Sequence, residues 1–360
     1  MALSGSKMYM DLEKARELCT GILVCSGVPE ADASTVVDNL IQGDLRGLGS
    51  HGISRLYAYT ERIKDGYTNA KPDIRVVNES PATLLIDGDN GLGAVIGTKA
   101  MDLCIEKAKI SGMASCAVRN GNHYGIAAYY AMKALPHDMI GIALTNAAST
   151  MAPWGSITPY FGTNPFCFAI PAEKRRPIVL DCATSVVARG KIILAGIENK
   201  SIPEGWAIDK SGRPTTNTSD ALKGSVLPFG GYKGSGIAMV IDILCAMLSG
   251  ATFGTHVGDF YNNSQKMQNL GFYFSAISIK SFLSPADFKA GIDQMIDEIK
   301  GSEKAYGVEE IFVPGEIEFN NEAVNRKRGI EIGPGVLKDL NTLRQRYGIN
   351  INPEDYVKEG

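Results

Sequence analysis

Lys71-Pro72-Asp73-Ile74-Arg75-Val76-Val77-Asn78-Glu79-Ser80-Pro81-Ala82-Thr83-Leu84-Leu85-Ile86-Asp87 marks the point where the texture of the chain changes. Lys71-Pro72-Asp73 reads as a linker. The two runs behind it, 74–78 and 83–87, are short, rich in Val, Ile and Leu, and bounded by turn residues, which is a strand signature. A helix is expected from about 97 to 111, and further apolar strands at 114–119, 140–145, 166–170, 178–181 and 272–279, separated by Gly- and Pro-rich turns. Before residue 71 the pattern is helical. Leu12, Ala15, Leu18, Cys19, Ile22 and Leu23 recur at helical spacing, Pro29 and Glu30 open a second helix running to about Leu45, and Ser50 opens a third. The segment 196–233 is loop-rich, 234–251 reads as a buried helix, 285–300 as an amphipathic helix, and the tail returns to helix over about 335–347. The reading is a central mixed α/β lobe with helices from both chain ends packing together.

The 360 residues are 44% hydrophobic and 21% charged, with a formal charge of −3. That composition belongs to a globular chain, and the absence of a basic excess argues against nucleic acid as a partner. The longest apolar run, 236–248, is too short to span a bilayer and contains Asp242. The first residues lack a charged-then-apolar leader pattern. Seven scattered cysteines, an odd count with no C-x-x-C, suit a cytoplasmic protein with reduced thiols. Histidines and carboxylates show no metal-ligand spacing, so no metal is expected.

Ser50-His51-Gly52-Ile53-Ser54-Arg55-Leu56-Tyr57-Ala58-Tyr59 carries the densest chemistry. Read as one helix, it places His51, Arg55 and Tyr59 four residues apart on one stripe, with Ile53, Leu56, Tyr57 and Ile63 on an apolar stripe facing a core. Ser50 stands at the N-cap position, and Arg55 can hold a carboxylate with two parallel hydrogen bonds. The plain alternative is a surface helix that happens to carry these residues. Asn122-His123-Tyr124-Gly125 follows a strand and precedes a helix, a position where a histidine can exchange protons near neutral pH or can simply be solvated. Gly91-Leu92-Gly93 with Gly97 is a weak dinucleotide fingerprint, read as turn and packing glycines. Gly230-Gly231-Tyr232-Lys233-Gly234-Ser235-Gly236 precedes a helix and supplies a charge, as either a phosphate cradle or a flexible turn.

Asp44-Leu45-Arg46-Gly47-Leu48-Gly49-Ser50-His51-Gly52 resembles the signature of the type-2 malate/L-lactate dehydrogenase family, which includes ureidoglycolate, sulfolactate and diketogulonate oxidoreductases. The resemblance continues in order through Asn122–Gly125, Ala152-Pro153-Trp154-Gly155, Gly162-Thr163-Asn164-Pro165, Leu180–Ser185, Ala188–Lys191, Pro203–Ala207, Pro214-Thr215-Thr216, Gly231–Gly234 and Pro314-Gly315-Glu316. It departs at Gly121, where relatives often carry Ser, at Ala147, Ala148 and Thr150, and at Ser235, where an aromatic is common.

The resemblance implies an α/β fold with a mixed-sheet, non-Rossmann nicotinamide-binding lobe and a helical lobe built from both termini. Residues 1–70 would be the N-terminal helical segment, 71–320 the cofactor lobe and 321–360 a C-terminal segment packing on the first. It implies a homodimer and a nicotinamide cofactor, NAD with NADP as the alternative. Carried over by position, His123 and His51 would be catalytic, and Ser50, Arg55 and Tyr59 would bind substrate. Asp181, Cys182, Ala183, Gly231, Tyr232, Lys233, Pro314, Gly315 and Glu316 would contact the cofactor. The implied reaction is hydride transfer between the nicotinamide and C2 of a small 2-hydroxy or 2-oxo acid of the malate, lactate, sulfolactate or ureidoglycolate class. The alternatives are a reductase of cyclic 2-imino acids and a non-catalytic dinucleotide-binding protein.

Overall fold

The computed structural model describes residues 7–260 and 267–359. Its centre is a seven-stranded sheet built from β1 (Arg75–Glu79), β2 (Thr83–Asp87), β3 (Met113–Gly121), β4 (Met139–Thr145), β5 (Phe166–Ile170), β6 (Ile178–Cys182) and β7 (Leu270–Ser278). The strand order is β1-β2-β3-β7-β4-β5-β6. Only β2 and β3 run parallel, and every other neighbouring pair is antiparallel. A parallel pair needs a crossover, and the helix Gly93–Ser111 supplies it. Ile96, Ala100, Cys104 and Ala108 recur every four residues along that helix and pack with Ile86, Cys116, Val118, Phe272 and Phe274 of the sheet. Each fully buried large apolar side chain there contributes about 1.5–3 kcal/mol.

A second core lies at the chain ends. Helices α1 (Leu12–Cys25) and α2 (Glu30–Leu45) bury Leu18, Ile22, Val37, Leu40 and Ile41 together with Ile330, Leu340 and Leu343 from the far end of the chain. A three-stranded antiparallel ribbon closes this region. Met8–Met10 is its middle strand, between Ile330–Ile332 and Val357–Glu359.

Strand direction positions the site. β2 and β3 end, and β7 begins, at one edge of the sheet, because Asp87 pairs with Arg119 and Leu270 with Gly121. β4 and β6 also end there, as Phe272 pairs with Thr145 and Phe166 with Cys182. The loops carrying His123, Asn146, Asn164, Thr184 and Gln268 therefore gather at that edge.

Three expectations need correction. Residues 50–59 are not one helix. Two 3-10 turns, Gly49–His51 and Ile53–Arg55, break at Gly52, and only then does the helix Leu56–Lys64 (α3) begin. Ser50 therefore lies inside the first turn and caps nothing. The segment read as a buried helix is an α-helix over Tyr232–Asp242 continuing into a π turn over Ile243–Met247. It is buried on one side only, with Val240, Met247 and Leu248 more than half exposed. The loop-rich reading of 196–233 overlooked the end of one helix, Arg189–Ile197, and the short helix Thr218–Lys223, and the helix Glu316–Arg328 was not foreseen. Among the described residues, no helix is long and apolar enough to cross a membrane.

Candidate active site

The broken turns still bring the three polar side chains together. His51 and His123 stack with ring centroids 5.6 Å apart and planes 26° from parallel. Tyr59, from α3, shares a hydrogen bond of 2.7 Å between its hydroxyl and His123 Nδ1. Ser50 Oγ lies 2.9 Å from His51 Nδ1. The Arg55 Nε donates to the Ser50 carbonyl at 2.5 Å, which fixes the guanidinium against the same turn. Two loops far apart in sequence thus form one cluster of two imidazoles, a phenol and a guanidinium.

The environment keeps both imidazoles neutral. Burial, assisted by the Arg55 charge, pulls His51 down to about 4. Burial, then the neighbouring His51 and Arg55, holds His123 well below the ordinary histidine range. Burial pushes the Tyr59 phenol up, so it stays protonated at neutral pH. A neutral imidazole has one ring nitrogen to donate and one to accept. When Nδ1–H of His123 donates to the phenol oxygen, Nε2 keeps its lone pair and can take a proton.

Asn122, from the His123 motif, and three residues outside every motif, Phe260, Arg62 and Gln268, complete the cluster. The Phe260 ring lies 5.0 Å from the His123 ring and edge-on to Tyr59 at 5.8 Å. The Arg55 and Arg62 guanidiniums sit 5.9 and 5.8 Å from its centre. Gln268 Oε1 accepts the His123 backbone amide at 3.0 Å. Asn122 donates to the Asn90 and Gly91 carbonyls, 2.9 Å in both cases, and so pins the loop from below. Phe260 and Gln268 stand in no motif and no periodic run, so the sequence offered no signal for them.

The expected cofactor residues fall into three places. Asp181 and Cys182 end β6 with Ala183 just beyond. The Asp181 carboxylate accepts the Ala128 amide at 2.8 Å, tying that strand end to the helix that follows His123. Burial raises Asp181 to about 6, with the Ala128 amide and Arg46 drawing it down. Gly231, Tyr232 and Lys233 open the 232–242 helix beside the Trp154 ring. The amides of Gly231, Lys233, Gly234 and Ser235 donate to the carbonyls of Pro228, Gly230, Phe229 and Gly231. The loop's glycines therefore serve mainly the turn, and the exposed Lys233 is its charged element. Pro314 accepts the Val179 amide at 3.0 Å, and Gly315 packs on Val179, so this segment lies against the outer edge of β6. The Glu316 carboxylate is engaged by Lys300 at 2.7 and 2.8 Å and by the Val313 amide at 3.1 Å.

The model of the malate/L-lactate dehydrogenase family matches residues 10–341. The chain is 45% identical to L-sulfolactate dehydrogenase of Methanocaldococcus jannaschii over 351 residues, 98% of this chain and 100% of that protein. It is 33% identical over 325 residues to ureidoglycolate dehydrogenase (NAD(+)) of Escherichia coli K12, covering 90% of this chain and 93% of that one. The solved structure of malate dehydrogenase from Pyrococcus horikoshii OT3 matches with a TM-score of 0.88 at 40% identity, over 96% of this chain and 97% of that chain. With a mixed sheet at its centre and two imidazoles at the sheet edge, the chain belongs to the malate/L-lactate dehydrogenase family and is an oxidoreductase.

Proposed function

We propose that the protein transfers hydride between a nicotinamide dinucleotide, NAD or NADP, and C2 of a small 2-hydroxy or 2-oxo acid, with His123 as proton acceptor and donor. The observation that carries this reading is the Tyr59–His123 hydrogen bond of 2.7 Å beside a second neutral imidazole. Oxidising an alcohol requires removing its hydroxyl proton as hydride leaves. The neutral Nε2 of His123 takes that proton, and in reduction the imidazolium returns it. His51 hydrogen-bonds the same substrate oxygen. Arg55, its plane set by the Ser50 carbonyl, holds the substrate carboxylate through its terminal nitrogens. Ser50 and Tyr59 complete the pocket, and the Phe260 ring helps keep water from the imidazoles.

The chain's residues suit a dinucleotide. Asp181, Cys182 and Ala183 form a strand-end turn tied by the Asp181 carboxylate to the helix that follows the His123 loop. Lys233 offers an exposed ammonium at a helix N-terminus, the right charge for a pyrophosphate. Pro314, Gly315 and Glu316 would approach the cofactor mainly through their backbone, since Lys300 occupies the Glu316 carboxylate. The bound nicotinamide supplies the hydride chemistry, and the protein supplies position and proton.

Two further assignments accompany this reading. The homodimer is supported by the exposed apolar side of the 232–248 segment, where Met239, Val240, Met247 and Leu248 are 49–58% exposed. A cytoplasmic location is supported by seven unpaired cysteines, five of them buried.

The test is a substrate panel of malate, lactate, sulfolactate and ureidoglycolate, with each cofactor, plus a cyclic 2-imino acid. Turnover with a hydroxy acid is the expected result. Reduction of the cyclic imine alone would move the protein to imine chemistry. Tight NADH binding without any turnover would make it a binding protein.

A further inference from the structure

Helix α2 buries two polar side chains that the proposed chemistry does not use, Asn39 at 1% and Asp44 at 7% exposure. A buried polar group costs stability unless its hydrogen bonds are made, and an apolar residue at either place would extend the surrounding core of Val36, Leu40 and Ile41. Each side chain is instead aimed at one of the two histidine loops. Asp44 Oδ2 accepts the Ile53 amide at 2.8 Å, at the start of the turn that carries Arg55 and just past the one that carries His51. Its carboxyl fills the space where a side chain on Gly52, the residue after His51, would stand. Asn39 Oδ1 fills the equivalent space beside Gly125, two residues after His123, where the backbone has φ +78°. Asn39 Nδ2 donates to the Tyr130 hydroxyl at 3.3 Å, and that hydroxyl donates to the Tyr124 carbonyl, next to His123.

Residues five apart on an α-helix project about 140° from each other, so one helix can reach two loops on different sides. We propose that Asn39 and Asp44 are positioning residues: from one rigid helix they seat the loops of His123 and His51, and so set the spacing of the two imidazoles. This rests on the roles proposed above for the two histidines. Gly52 and Gly125 are the matching halves of the device, since any larger residue would displace the brace. Asp44 serves as a hydrogen-bond acceptor of fixed position, not as a charge. Burial pushes its carboxyl up to about 8, against the pull of the Ile53 amide, so it is largely neutral at pH 7.

The experiment compares Asp44→Asn, Asp44→Ser and Asn39→Ser in the full chain. Asparagine keeps the shape and an acceptor for Ile53, whereas serine is too short to reach either loop. The first readout needs no substrate: the ring ¹⁵N signals of the cofactor-free protein. Asp44→Ser should shift the His51 ring more than the His123 ring, Asn39→Ser the reverse, and Asp44→Asn should leave both near their wild-type values. The second readout is turnover. Each serine variant should lower kcat about tenfold to a hundredfold, as sub-ångström to 1 Å misplacement of catalytic groups does. Asp44→Asn should stay within about threefold, and the NADH dissociation constant should stay within about twofold throughout. The proposal is overturned if Asp44→Asn falls as far as Asp44→Ser, or if the serine variants lose thermal stability while both rings keep their signals. Ring signals that move as expected in a protein without hydroxy-acid turnover would uphold the brace and break the functional reading, so the two fail separately.

Discussion

Helix α2 and the 232–248 segment each carry an apolar helical face, yet they are opposites in three dimensions. Helix α2 is largely enclosed, and among the apolar residues it buries stand two polar ones, Asn39 and Asp44, with Arg46 just past its end at 1% exposure. The later segment carries Val240, Met247 and Leu248 outward at 54, 55 and 58% exposure. Apolar composition shows that a surface needs covering. It does not show what covers it, whether the chain's own ends, as for α2, or something beyond the single chain. Polar residues inside and apolar residues outside each break the expected pattern, and each break falls beside a proposed feature, the histidine pair for the first and a contact between copies for the second.

The largest expected effect lies on the α2 side of that contrast. His123→Ala removes the group that the braced loop presents. It should lower kcat by about two to four decades while leaving NADH binding in place. Steady-state kinetics on a variant with wild-type thermal stability decides it, and near-wild-type turnover would remove His123 from the chemistry.

The next effect lies at the start of the exposed helix. Lys233→Ala removes a surface charge without touching the turn, because the loop's amides are already bonded to loop carbonyls. The NADH dissociation constant should rise by roughly 10- to 150-fold, the equivalent of about 1.5–3 kcal/mol for a hydrogen bond to a charged group. Apo-state stability should stay within about 0.5 kcal/mol, as for most surface substitutions. Unchanged affinity by direct titration would leave the loop as a structural turn.

The outward face itself is tested by Val240→Asp with Met247→Asp. Both sites are more than half exposed in the single chain, so its folding should be little affected. If this side is the contact between two copies, sedimentation at micromolar concentration should show the wild type as a dimer and the variant as a monomer, since charges in an apolar contact must be desolvated without partners. A variant that sediments like the wild type would place the contact elsewhere.

Much of this was legible in the sequence because it is local. The change of texture at Lys71-Pro72-Asp73, the strands 74–78 and 83–87, the crossover helix and the His123 loop depend on short patterns of apolar and turn residues, and they appear in the fold within a few residues of their expected limits. The helix Gly93–Ser111 began four residues early because Leu92 and Gly93 give up their turn character once Asn122 and His123 pack against Gly93. Non-local features were illegible. Phe260 and Gln268 reach His123 only through the return of the chain to β7, and no spacing rule connects residues 123 and 268. The stripe of His51, Arg55 and Tyr59 was read on a continuous helix that does not exist. The side chains meet because two tight turns and one helix arrive at the same place, with the Asp44 carboxyl standing where a side chain on Gly52 would be.

The smallest effect compares how the two halves of the molecule respond to acid. His51 and His123 have folded-state pKa values lowered by burial, His51 to about 4, from an ordinary value of 6.5. Between those limits the unfolded chain binds protons that the folded chain does not, so this contribution to stability is present above pH 6.5 and is lost as pH falls towards 4. Asp44 has the opposite sign. Its folded value of about 8 lies above the ordinary 3.8, so the folded state holds the extra proton and stability declines as pH rises from 4 to 8. The slopes partly cancel between pH 4 and 6.5, where Asp181, raised to about 6, adds to the Asp44 side, and the Asp44 slope dominates from 6.5 to 8. Denaturant unfolding of the cofactor-free protein should therefore show Asp44→Asn gaining on the wild type as pH rises from 6.5 to 8, while His51→Gln gains on it as pH falls from 6.5 to 4.5. In the 232–248 segment the exposed apolar side chains do not titrate, and the buried Asp242 beneath them is shifted upward by burial. The aspartate double variant of this segment should run parallel to the wild type from pH 6.5 to 8. Parallel curves for Asp44→Asn over that same range would mean that the carboxyl beneath the His51 turn is already ionised at neutral pH and braces the loop as a charge.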